Sequence, residues 1–114
     1  MRARVQEIVF DCADPAGLVR FWSALLGGAP VDRGPDWSYV EPPGFARIAF
    51  QRVPEGKAAK NRLHLDVAVA DPVAAAEEVR VLGARRSGGP VTDEQGTFQV
   101  MFDPEGNEFC FVTD

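Results

Sequence analysis

The chain has 114 residues, 46% of them hydrophobic and 25% charged, which is the composition of one ordinary globular domain with a core of its own. Its net charge of −5 argues against nucleic acid and anionic membrane surfaces as partners, because both require a basic patch. No apolar run approaches the length of a membrane span, and Ile8-Val9-Phe10 is too short for a signal-peptide core, so the expected compartment is the cytoplasm, where Cys12 and Cys110 would stay reduced.

Val5 to Cys12 alternates, with Ile8, Phe10 and Cys12 on one side and Glu7, Val9 and Asp11 on the other, as a half-buried strand does. Asp14 then serves as a helix N-cap with Pro15 in the first helical position, and Leu18, Phe21, Trp22, Leu25 and Leu26 recur at helical spacing. Gly27-Gly28 stops that helix. A short segment from Ala29 to Asp32 and a turn at Arg33-Gly34-Pro35 lead to a strand over Asp36 to Glu41. Pro42-Pro43-Gly44 turns the chain into another strand, Phe45 to Val53. Pro54 to Lys60 is polar and reads as a linker.

The plan then repeats. Arg62 to Ala70 alternates as a strand, with His64, Asp66 and Ala68 opposite Leu65, Val67 and Val69. Asp71-Pro72 opens a second helix with Val73, Ala76, Val79 and Leu82 on its apolar face and Gly83 at its end. Arg85 to Val91 is a short Gly-rich strand or loop, Thr97 to Asp103 a strand, Pro104-Glu105-Gly106-Asn107 a turn and Glu108 to Thr113 the last strand. Glu7 and His64 stand 57 residues apart, as do Asp14-Pro15 and Asp71-Pro72, so the repeat is half of the chain. The expected fold is α+β, one domain over 1–114 made of two tandem βαβββ modules, about 1–56 and about 60–114.

Asp14-Pro15 with Phe21-Trp22 and Leu25-Leu26-Gly27, His64-Leu65-Asp66-Val67 with Asp71-Pro72 and Leu82-Gly83-Ala84, and the run Asp103 to Cys110 occur in an order that resembles the vicinal-oxygen-chelate superfamily. That superfamily includes glyoxalase I, bleomycin- and fosfomycin-resistance proteins and extradiol dioxygenases; the chain looks most like its short glyoxalase-like members. The resemblance implies a curled mixed sheet around a cup-shaped cavity with the helices on the outer face. It also implies metal ligands at Glu7 and His64 on the two lead strands and at Cys110 on the last strand. The fourth ligand position falls on Ile48 or Ala49, which carry no donor, with Gln51 the nearest polar side chain on that strand.

Glu7, His64 and Cys110 could make a three-ligand site with one open position for a divalent zinc, nickel, manganese or iron ion. In that reading Glu7 and His64 are also the catalytic pair. The alternatives are a carboxylate facing solvent, a histidine that lines a pocket, and a small half-buried residue between Phe109 and Phe111. Asp11, Trp37, Tyr39, Gln51 and Asp66 are the expected pocket lining. Two functions follow: a protein that holds a small organic molecule in the cup with a degenerate metal site, or a metal-dependent lyase, isomerase or dioxygenase that uses Glu7 and His64. A homodimer is an expectation of the resemblance.

Overall fold

The computed structural model describes residues 1–113 and divides the chain into two compact units, Met1–Gly56 and Lys57–Asp114. In unit 1 the alternating lead segment forms strand β1 (Glu7–Cys12), followed by helix α1 (Pro15–Leu26) and strands β2 (Val31–Asp32), β3 (Trp37–Val40) and β4 (Arg47–Arg52). The sheet order is β1-β4-β3-β2, with β1 parallel to β4 and the other pairs antiparallel.

The helix is bounded as its ends dictate. The Asp14 side chain accepts from the Gly17 backbone N–H, Pro15 occupies the first turn, and the Gly27 N–H donates to the Ser23 carbonyl. Its buried face, Leu18, Val19, Phe21 and Trp22, packs on β3 and β4. Trp22 meets Phe10 edge-on with ring centroids 5.5 Å apart, and Phe10 meets Phe50 in the same way. The even-numbered side of β1 is therefore the helix side, and Glu7, Val9 and Asp11 lie on the other. The short β2 is held by Asp32, whose carboxylate receives a fork of hydrogen bonds from Arg20 on α1 and one from the Ser38 hydroxyl.

Unit 2 contains β5 (Leu65–Val69), α2 (Pro72–Arg80), β6 (Arg85–Arg86), β7 (Val91–Asp93), β8 (Gly96–Phe102) and β9 (Glu108–Thr113). Its sheet runs β5-β9-β8-β6, and β7 also pairs with β8. Again the first and last strands, β5 and β9, are parallel neighbours. Both sheets are thus mixed and each carries one helix, an α+β plan; among the described residues neither sheet closes into a barrel.

Two local expectations change. Where one short strand or loop was expected from Arg85 to Val91, two strands occur: β7 pairs with the start of β8 while β6 pairs with its end, so unit 2 has one strand more than βαβββ. Helix α2 ends at Arg80, before the expected stop at Gly83, and the chain leaves through a turn. Leu82 is consequently 43% exposed and Val73 45%, so the apolar face of α2 reduces to Ala76 and Val79 with Pro72. The turn after β8 is clamped by the buried Asp103, whose carboxylate accepts from the backbone N–H groups of Glu105 and Asn107 and from the Asn107 amide.

Candidate functional site

Strand alternation puts residues i and i+2 on one face, and register partners in a parallel pair share a face. In unit 2 this brings three donor side chains together. His64 immediately precedes β5, Asp66 follows two residues on, and Asp66 is the register partner of Cys110 on β9. The ligand atoms of His64, Asp66 and Cys110 all lie within 4.8 Å of one another. His64 Nε2 is 3.3 Å from Asp66 Oδ1, and the two side chains are half exposed. Burial pushes the Cys110 thiol above its ordinary range, the Asp66 charge adds to that, and Lys60 opposes it.

The same face opens into a cavity of about 430 Å³. His64, Asp66, Cys110 and Phe98 line it from that face, and Thr97 and Thr113 also border it. The Thr113 hydroxyl accepts from the Thr97 backbone N–H, which fixes the hydroxyl at the cavity wall. Glu108 has a different task. Its carboxylate accepts from the Asn61 N–H at 2.8 Å and from Lys57 at 3.1 Å. Burial works to raise its pKa, but those hydrogen bonds and the Lys57 charge prevail and hold it below the ordinary carboxylate range.

Unit 1 presents the matching face with different chemistry. The registers define one row Asp11–Gln51–Trp37 and another Val9–Ala49–Tyr39. Four expected pocket residues, Asp11, Trp37, Tyr39 and Gln51, therefore share this face. Val9 is the repeat equivalent of Asp66, so its partner Ala49, not Ile48, is the equivalent of Cys110. Glu7 is the partner of Arg47, whose guanidinium reaches it at 3.9 Å, bonds Glu41 at 2.6 Å and lies 4.1 Å over the Tyr39 ring.

This geometry decides how a metal ion fits. The position on β4 that would supply a first-unit ligand is Ala49, which has no donor atom, and Glu7 already faces a guanidinium. The four-ligand set implied by the resemblance is therefore not available in this chain. The donors that do converge are imidazole, carboxylate and thiol from unit 2, a set suited to a borderline divalent cation. The part of Asp66 in that convergence was not apparent from the sequence, where it was only a pocket residue. Thr97 and Thr113 carried no signal beyond strand alternation. Neither cysteine is part of a disulfide.

The family model of the glyoxalase-like domain matches residues 7–112. The chain belongs to the glyoxalase-like domain family. Solved structures agree on the fold. A glyoxalase/bleomycin resistance protein/dioxygenase family enzyme from Burkholderia phytofirmans is 18% identical with a TM-score of 0.76, over 97% of this chain and 98% of that one. The fosfomycin resistance protein of Mesorhizobium loti is 19% identical with a TM-score of 0.74, over 100% and 94%. The bleomycin-binding protein of Streptomyces verticillus, solved with copper(II)-bleomycin, is 21% identical with a TM-score of 0.65, over 100% and 98%. No curated protein matches the chain. Among the described residues no helix is long and apolar enough to cross a membrane.

Proposed function

We propose that this glyoxalase-like protein binds a small organic molecule in the unit 2 cavity that His64, Asp66 and Cys110 line, with His64, Asp66, Thr97 and Thr113 as its polar contacts. The observation that carries this reading is the cavity of about 430 Å³, which lies in the size range of small-molecule sites and combines the Phe98 ring with convergent polar groups. The replacement of a donor by Ala49 supports binding without the family's full metal chemistry. The bleomycin-binding and fosfomycin-resistance relatives make those two compounds the first to try, alongside fragments of other chemistry.

The test is a fragment screen followed by amide chemical shifts on the labelled full chain. Binders should perturb Thr97, Cys110 and Thr113 together, and Thr97→Trp, which fills the cavity, should abolish the perturbation. Binders that map elsewhere, or that survive Thr97→Trp, would sink the reading.

A second reading, a divalent-metal lyase, isomerase or dioxygenase, draws support from the three converging donors. In it His64 is the reactive imidazole.

A further inference from the structure

We propose that His64, Asp66 and Cys110 form a self-contained zinc site built wholly from unit 2, with Asp66 as its third ligand. The family's set draws one half of its ligands from each module; this set needs one module only. Three observations carry the inference.

The first is spacing. Tetrahedral zinc, with bonds of about 2.0 Å to nitrogen and oxygen and about 2.3 Å to sulfur, holds its donors roughly 3.3–3.6 Å apart. His64 Nε2 and Asp66 Oδ1 already stand 3.3 Å apart. Cys110 Sγ lies within 4.8 Å of both, and side-chain rotation is the adjustment that binding would require.

The second is the frame. Asp66 and Cys110 are register partners in the parallel pair β5–β9, so the ladder sets their placement, and His64 stands immediately before β5, two residues from Asp66. The equivalent first-unit row, Val9 and Ala49, holds no donor, so the repeat offers this site once.

The third is donor chemistry. Calcium and magnesium take oxygen ligands in six-fold or larger shells, which an imidazole and a thiolate do not supply. A mixed nitrogen, oxygen and sulfur set with one position left open is the pattern of zinc. All three donors line the cavity, and the half-exposed His64 and Asp66 leave a path for the ion. On binding, the Cys110 thiol proton passes to solvent and the sulfur lone pair takes its place on the metal. The organic ligand of the preceding section plays no part in this, so the metal alone is the probe.

Cobalt(II) substitution reads the site directly, because a cobalt–thiolate bond gives a charge-transfer absorption band. The purified, chelator-stripped full chain should bind one cobalt with that band, and zinc should displace it. Cys110→Ser should remove the band, and His64→Ala should abolish tight binding. Asp66→Asn should weaken cobalt binding at least about tenfold, the lower end of what even an outer-shell partner costs. Glu7→Gln should leave the affinity unchanged. Circular dichroism on each variant separates a lost site from a lost fold, and the exposed Asp66 is the variant least exposed to that problem. The proposal is overturned by absence of the band in folded wild type, by a band that persists in Cys110→Ser, or by an affinity that responds to Glu7→Gln and not to Asp66→Asn.

Discussion

Asp66 sits directly across the β5–β9 pair from Cys110, and its carboxylate charge is one of the forces that keep the thiol protonated. Reactivity follows from that relationship. Only the thiolate attacks an alkylating agent, so a raised pKa means slow alkylation at neutral pH that accelerates as pH rises through the folded value. Iodoacetamide should therefore modify Cys110 with a midpoint above that of a free thiol. Asp66→Asn should move the midpoint down, although burial, the larger cause, remains. Cys12 is buried and donates to the Gln51 carbonyl, so it should stay unmodified in the folded chain. A midpoint that ignores Asp66→Asn would contradict the electrostatic account.

Glu108 ties the Lys57–Asn61 segment to β9 and should give a stability that depends on pH. Its folded pKa is depressed, so the contribution is fully present above the unfolded carboxylate value and is lost as pH falls through the folded one. Glu108→Gln should cost about 1.5–3 kcal/mol at neutral pH, the range for hydrogen bonds to a charged group. The difference from wild type should shrink steadily below about pH 4.3. Urea melts at several pH values check both parts; a gap that widens in acid would refute the assignment.

Trp22 is 1% exposed and packs edge-on to both Phe10 and Phe21. It joins α1 to the helix side of the first sheet. Trp22→Ala should destabilise the protein by about 3–5 kcal/mol, and chemical denaturation measures it. A loss below about 1 kcal/mol would mean that this cluster is not the anchor of unit 1.

Gly28 takes φ of +89°, and a Cβ there would stand 2.7 Å from the Glu41 carbonyl oxygen and 2.9 Å from Val40 Cγ2. Gly34 has φ of +73° but open space around it. Gly28→Ala should cost about 2–3 kcal/mol, from left-handed strain plus a backbone clash, whereas Gly34→Ala should cost about 1 kcal/mol from strain alone. Thermal melts of the two variants give the comparison. Equal losses would remove the clash from the account.

Some elements were legible in the sequence because their signals are local. Helix α1 has the ends that Asp14-Pro15 and Gly27-Gly28 announce, and Glu108 to Thr113 is a strand over its full expected length. Helix α2 lost its last turn because Val81 and Leu82 look apolar in a helical pattern yet lie in a turn facing solvent. β7 escaped because Val91-Thr92-Asp93 is only three residues between Gly88-Gly89-Pro90 and the polar Glu94-Gln95-Gly96, and its pairing with β8 is what makes it a strand. The site divided in the same way. Alternation alone put His64 beside Asp66. Bringing Cys110 to them took the β5–β9 register, and choosing Ala49 over Ile48 took the β1–β4 register; neither is written in any local pattern.

The pairing of first strand with last has a consequence for how the chain is made. Glu7 meets Arg47 and Leu65 meets Phe109, contacts that span 40 and 44 residues. Neither sheet can be finished from its N-terminal end, because the strand that completes it is the last of its unit to leave the ribosome. The first unit has all its strands by Arg52, before any of β5 has been synthesised. The order of translation thus lets the first sheet gather its own closing strand while the competing, similar strands of the second do not yet exist.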